Sequence, residues 1–588
     1  MKRLMWMQRI PATSGVLTRA AAVCTTALVV LVGCGSPGGE PAGDAASTDE
    51  QAATESSVLL EAAREAQTTI RTESLRPHIA VLSDDAMEGR APGTPGDDKA
   101  QEYLIEQMQQ LGLEPGGPDG QWRQSFDIVS IESTVPETWA FTKDGDNLTL
   151  AWWDDFIASS GVQAESATLD GAEVVFVGYG IDAPEYEWND FGDTDLSGKV
   201  LLIVNNDPDW DPELFEGDRR LYYGRWTYKY EAAAARGAAG AIIIHTRPSA
   251  GYPFGVVQSS WTGPQFELPA GDEPRLQVAA WTSEDATRRL LEFAGQDYDT
   301  LVEQAKSRDF TPVPLGVSTS LAIETTLERT QTANVLGKLA GSDPEIGDEI
   351  VLYGAHFDHL GVGRADDAGD TIYNGALDNA AGSAAVLAVA QSFLDLPEAP
   401  RRSVVFAFWG AEESGLLGSK HFGENPTVAP GKIAANLNID GGNIWGVTDD
   451  VVFIGHGKSD LDAVVERHAA AQERHVVGDQ FPDRGYFYRS DQLNLARIGV
   501  PAVYLDTGTE FRDRPAGWGK EQLEAWEGAS YHQPSDELED SWVFDGMIAD
   551  TRLLFLIGVD LAEQTALPRW TPGDEFEAAR TAALARVE

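Results

Sequence analysis

The 588-residue chain carries 94 Asp and Glu against 43 Lys and Arg, a formal charge of −51. Nucleic-acid binding needs clustered Lys and Arg, so this balance excludes it. With 42% apolar and 23% charged residues the composition is globular, and the length asks for two or three domains. The acidity leaves two readings open: a solvated surface suited to a salty or extracytoplasmic setting, or attraction of cationic substrates.

The chain opens with Lys2, Arg3, Arg9 and Arg19, followed over 20–32 by an apolar run too short to span a bilayer comfortably. The run ends in Leu31-Val32-Gly33-Cys34, which resembles a bacterial lipobox. That resemblance implies a signal peptide over 1–34, lipidation of Cys34, and an exported protein. It would be tethered to the cell envelope through its N-terminal lipid anchor alone. The other cysteine, Cys24, would leave with the signal, so no disulfide is expected in the mature chain. Residues 35–58 are rich in Gly, Pro, Ala, Ser and acids and predict a flexible linker. Helical spacing follows at 59–67 and at 97–111, the second stretch closing on Gly and Pro.

From about residue 168 the texture changes. GAEVVFVGYGI and GKVLLIVNND read as short strands bounded by Gly, Asn and Asp. A helical patch, YKYEAAAARGAAG, leads into the apolar strand AIIIHT, and LQVAAWT with the helix SEDATRRLLEFAG completes the unit. This order resembles the protease-associated domain, a small β-rich insertion common in exported peptidases, placed here at 141–309. A generic α/β insertion is the alternative.

Between about 320 and 565, EIVLYGAHFDH, RSVVFAFWGAEE, IAANLNID and VPAVYLDTG each read as a buried strand breaking into a polar loop. Helical stretches such as GSAAVLAVAQSFLDL lie between them. Such alternation predicts an α/β fold: a mostly parallel mixed sheet with helices on both faces. Ligands in such sheets gather outside the carboxyl ends of the strands, and the chemistry-bearing residues fall there. In GAHFDHLG, His356 follows a strand and offers an imidazole nitrogen, while Asp358 could accept its other ring N–H and fix the tautomer. In YNGALDNAAG, Asp378 opens an Ala-rich helix, where a lone Asp is most often a helix cap. The adjacent Glu412 and Glu413 of WGAEESG repel one another unless a cation or proton intervenes. Asp440 ends the strand of NLNIDGGN, and His532 sits in the loop YHQPSDE. Imidazole with carboxylate is the ligand set of catalytic zinc. Five ligands exceed one open zinc site, and two ions sharing a bridging carboxylate explain the surplus.

The order GAHxDH, DNxxG, WGAEExGLxGS, NxD, YHxPxD resembles the co-catalytic di-zinc aminopeptidase family, which includes bacterial leucyl aminopeptidases and glutamate carboxypeptidase-like proteins. The likeness covers about 320–565, and LSDDAMEGRAPGT with its following helix looks like the family's N-terminal segment. It implies a zinc peptidase domain split into 59–140 and 310–566, with a C-terminal tail at 567–588. It further implies two zinc ions per chain: Asp378 bridging, His356 and Asp440 completing one site, and Glu413 and His532 the other. Glu412 would be the general base, Tyr531 would polarise the scissile carbonyl, and Arg489 would contact the peptide substrate. The peptide between Asp378 and Asn379 is expected to be cis. Leu377 departs from the family pattern, standing where many relatives carry a second Asp. The function implied is an exported zinc exopeptidase, most simply an aminopeptidase. A carboxypeptidase or dipeptidase on the same scaffold, or a non-catalytic receptor-like protein, are the alternatives; a basic pocket for a terminal carboxylate would mark the second.

Overall fold

A computed structural model of the protein describes residues 58–212 and 214–587. The predicted signal peptide, Cys34 and the linker up to residue 57 lie outside the described residues. Residue 58, assigned to that linker, already belongs to a helix over 58–66. No helix among the described residues is long and apolar enough to cross a membrane.

Four parallel strands form the heart of the catalytic half, in the order Ser403–Trp409, Ile350–His356, Ile433–Asn438, Ala502–Asp506. Antiparallel strands flank them on either side, so the sheet is mixed but mostly parallel at its centre. Its strands read as continuous apolar runs because both faces are covered, as parallel sheets require. Along Ile350–His356, Val351, Tyr353 and Ala355 face the helices Ala381–Leu394 and Asp545–Glu563. Ile350 and Leu352 face the opposite layer, where Phe422 and Leu495 pack. Each such fully buried aliphatic or aromatic side chain stabilises the fold by about 1.5–3 kcal/mol. The sequence-predicted α/β architecture is therefore the architecture observed.

A second core, with Trp139, Phe156, Leu202, Ile244 and Leu290 among its buried residues, occupies the region between the two parts of the catalytic half. Its strands Ser166–Phe176, Val200–Val204, Gly240–His245 and Val278–Ser283 run parallel, and Phe156–Ser160 pairs antiparallel with the last. The helices Trp226–Ala235 and Glu284–Ala294 pack on this sheet.

A domain boundary at 309/310 is expected, and just beyond it Val313–Leu339 is one continuous 27-residue strand that serves both cores. Its first part pairs with Thr138–Lys143 and Ser166–Phe176 of the second core. Further along it pairs with Arg123–Thr134, and its end with Ser403–Trp409 of the catalytic sheet. The alternation in VSTSLAIETT continues into TANVLG without a breaker, so nothing interrupts the ladder. The expected C-terminal tail is also part of the fold. Trp570, Phe576 and Arg580 are buried, and Arg580 donates to the carbonyls of Pro568 and Ile433.

Candidate metal centre

His356 is the last residue of its strand, Glu412 and Glu413 follow the end of Ser403–Trp409, and Asp440 follows the end of Ile433–Asn438. Asp378 lies in the irregular turn before helix Ala381–Leu394, and His532 in the turn after helix Trp518–Ala529. The side chains of His356, Asp378, Glu413, Asp440 and His532 converge. His356 Nε2 lies 3.1 Å from Asp378 Oδ1 and 3.3 Å from Asp440 Oδ1. His532 Nε2 lies 3.0 Å from Glu413 Oε2 and 3.4 Å from Asp378 Oδ2. Asp378 therefore presents one oxygen to each histidine, and the peptide joining it to Asn379 is cis.

Among the described residues, His356 with Glu412 and Asp440, and His356 with Asp378 and Glu413, bring ligand atoms within 4.8 Å of one another. The donor set fits zinc: imidazole nitrogens and carboxylate oxygens, nothing softer or harder. His532 supplies a sharper test. Both its ring nitrogens are buried without a hydrogen bond, although Nε2 has carboxylate oxygens on two sides. A buried nitrogen facing carboxylates in non-hydrogen-bonding geometry is what a cation between them would satisfy. His532 also holds a left-handed backbone, φ 56°, rare for a non-glycine residue.

Supporting contacts set these side chains. His356 Nδ1 lies 3.2 Å from the main-chain carbonyl of Asp358, whereas the Asp358 carboxylate is 3.8 Å away. The expected ring contact thus goes to the carbonyl, because the Asp358 carboxylate accepts the backbone N–H groups of Glu412 and Glu413 at 2.9 and 3.3 Å. Burial pushes the Asp358 carboxyl up to about 8. The two glutamates diverge. Burial drives Glu412 well above its ordinary value, while His532 and His359 hold Glu413 down to about 2 against the same burial. Tyr531 stacks on the His532 ring at 3.9 Å, and burial raises its hydroxyl well above the ordinary value, opposed by the Arg489 charge. Arg489 lines the same cavity as Asp378, Glu412, Glu413, Asp440 and His532, a space of about 950 Å³.

Four positioning residues carry no role in the sequence reading. His359 Nδ1 contacts Glu413 Oε1 at 2.6 Å. Asp536 accepts the N–H groups of Leu377 and Asp378. Asn379 accepts the N–H groups of Gly382 and Gly441, tying the Asp378 turn to the segment after Asp440. Arg90, fully buried, donates to the carbonyls of Leu82, Phe357, Asn374 and Gly375. His359, Asp536 and Asn379 stand inside the motifs GAHFDHLG, YHQPSDE and DNAAG, so the motifs signal them. Gly375 is required beside them: at φ 54° a Cβ there would meet the Asp378 carbonyl at 2.2 Å and the His359 ring at 2.5 Å.

Residues 334–554 match the Peptidase family M28. An aminopeptidase of Pseudomonas aeruginosa is 27% identical over 456 residues, covering 74% of this chain and 68% of its own. A probable lipoprotein aminopeptidase of Mycobacterium tuberculosis, LpqL, is 24% identical over 493 residues, covering 80% of this chain and 81% of its own. Among solved structures, the aminopeptidase from Aneurinibacillus sp. strain AM-1 aligns over 84% of this chain and 95% of its own, at 17% identity and a TM-score of 0.49. Residues 334–554, which carry the histidine-carboxylate cluster at the strand ends, thus match Peptidase family M28, and the chain is a zinc metallopeptidase of the aminopeptidase type.

Proposed function

We propose that the protein is an exported aminopeptidase that holds two zinc ions, one through His356, Asp378 and Asp440, the other through Asp378, Glu413 and His532. The observation that carries this reading is the position of Asp378, with one carboxylate oxygen turned to each histidine. Zinc bound there supplies Lewis acidity and brings the pKa of a coordinated water to roughly 7. The chain's own residues do the rest. Glu412, 3.9 Å from His356 Nε2, lies next to Glu413 without being required as a ligand. It takes a proton from the attacking water and returns it to the departing amine. Tyr531, beside His532, donates its hydroxyl to the oxygen of the scissile carbonyl as negative charge develops there. Arg489 orients the peptide. Asp358 holds the backbone of both glutamates, which fixes where the base and the neighbouring ligand point.

The region 141–309 acts in this reading as a protease-associated insertion that walls one side of the cavity; Tyr252 and Trp226 line it together with Glu412. Export and anchoring through Cys34 rest on the N-terminal lipobox-like segment, and a relative bears the name of a probable lipoprotein aminopeptidase. Metal analysis of purified, active protein tests the centre. About two zinc ions per chain are expected, with hydrolysis of an aminoacyl anilide abolished by chelation and restored by zinc. One ion or none in fully active protein overturns the assignment.

A further inference from the structure

The row of acids at the strand ends does not stop at the metal centre. Ile433–Asn438 and Ala502–Asp506 run side by side and parallel, with Asn438 opposite Tyr504. Carried two residues on, that register sets Asp440 beside Asp506, one strand spacing of about 4.8 Å away. Both residues line the cavity, so Asp506 extends the row one strand beyond the side chains assigned to metal. It accepts the backbone N–H of Thr507 and forms no ion pair among the described residues.

No cation of the chain is set against it. Burial pushes the Asp506 carboxyl up to about 7, against the Thr507 N–H, and the charges that add to the rise are the carboxylates of Asp479, Asp440 and Asp550. The arginines of the cavity wall serve other groups. Arg275 is paired with Glu267 and Arg484 with Glu527. The charge felt most by buried Arg225 is that of Arg489, which also bears on Arg220. A carboxylate crowded by like charge at a partly desolvated place is stabilised by an arriving cation. The same cavity offers half-buried Trp445 and Trp526 as apolar wall, and open space beside Gly441, where an imagined Cβ meets nothing within 4 Å.

We propose that Asp506 selects substrates whose N-terminal residue has a cationic side chain, so that lysine and arginine are the residues released best. The proposal rests on the aminopeptidase reading, which places the N-terminal residue at the metal centre, and deepens it by naming the side chain. Lysine carries its ammonium on a flexible four-carbon stem, so the stem can lie along apolar wall while the head meets the carboxylate. Arginine can meet the same carboxylate through two parallel N–H bonds. The substrate's α-ammonium is the other cation on offer. It adjoins the scissile carbonyl and so stays at the centre itself, whereas the register sets Asp506 one strand away. The side chain is the part that spans this gap. The chain's overall charge of −51 attracts such substrates to the surface, and Asp506 gives that attraction a place to act.

Titration calorimetry of the zinc-loaded full chain with two amides tests it without turnover. L-lysinamide and L-norleucinamide share the α-ammonium, the amide and the aliphatic stem, and differ by the ε-ammonium alone. Lysinamide is expected to bind at least about tenfold more tightly, the usual weight of a charge-assisted hydrogen bond. Asp506→Asn should erase the difference by weakening lysinamide, and Asp506→Glu should keep part of it. In turnover, wild-type kcat/KM for lysyl anilide should exceed that for norleucyl anilide by a similar factor. Equal affinity of the wild type for both amides overturns the proposal. So does an advantage that survives in Asp506→Asn, because general attraction by an acidic chain then explains it. A loss in Asp506→Asn that falls equally on both amides overturns it too, since Asp506 then holds the α-ammonium they share. A chain that binds as expected yet hydrolyses neither anilide overturns the peptidase reading and leaves the subsite standing.

Discussion

Glu413 Oε1 stands 2.6 Å from Nδ1 of His359, while its other oxygen faces His532. One carboxylate is thus shared between a ring that anchors it and a ring that would bind metal beside it. Partners of this kind orient ligands and typically carry roughly 10–100-fold in metal affinity. His359→Ala is expected to weaken the tighter-measured zinc affinity by that order, read by competition with a chromogenic chelator. Unchanged affinity at both sites would remove His359 from the centre.

Asp536 predicts a coupled loss of stability and metal. Its two oxygens accept N–H groups from Leu377 and Asp378, and all three residues are buried. Asp536→Ala leaves both donors unsatisfied, at about 1–3 kcal/mol for each such group. The urea midpoint should fall accordingly, and zinc content should drop with it because the Asp378 turn is no longer held. Asp536→Asn, which keeps one acceptor, should fall between wild type and the alanine variant.

The adjacent glutamates separate proton transfer from metal binding. Glu412→Gln keeps the side chain's shape and removes its basicity. Zinc content should stay near normal while kcat falls by ~10²–10⁴-fold and KM changes little. Glu413→Gln should lose zinc, and added metal should restore part of the activity. Near-wild-type kcat in zinc-loaded Glu412→Gln would refute the assigned role.

Two glycine substitutions distinguish packing from helix propensity. A Cβ on Gly558 would fall 1.7 Å from the hydroxyl of Tyr353, which is buried and donates to the carbonyl of Leu554. Overpacking of this kind costs about 1–3 kcal/mol, more than the ~1 kcal/mol that alanine gains over glycine in a helix. Gly558→Ala should therefore lower Tm. Gly528 has nothing within 4 Å of its imagined Cβ, so Gly528→Ala should leave Tm unchanged or raise it.

What the sequence made legible was the catalytic half. Its buried strands each end in a short run of His, Asp or Glu, so periodicity and motif point to the same places. His356, Asp378, Glu413, Asp440 and His532 are brought together at those strand ends. The supporting shell was less legible: Asp536 and His359 stand in the motifs, but their work depends on which backbone groups fold back toward them. The double use of strand Val313–Leu339 escaped because nothing in its sequence marks where pairing passes from one core to the other. Arg220 and Arg225 could not be found at all. They lie in a stretch without a motif, more than 250 residues from Arg489 in sequence, and only tertiary packing brings them near it.

The shared strand Val313–Leu339 also limits how the enzyme admits its substrate. A linker between two lobes would act as a hinge, letting a cleft gape and shut. Here one 27-residue strand runs from one lobe into the other, paired at its start with Ser166–Phe176, in its middle with Arg123–Thr134 and at its end with Ser403–Trp409. Opening the mouth at that seam would mean breaking sheet hydrogen bonds, so the lobes move by slight twisting at most. The aperture is accordingly a fixed gauge. In the proposed function such a gauge favours chain termini and short peptides over the body of a folded protein.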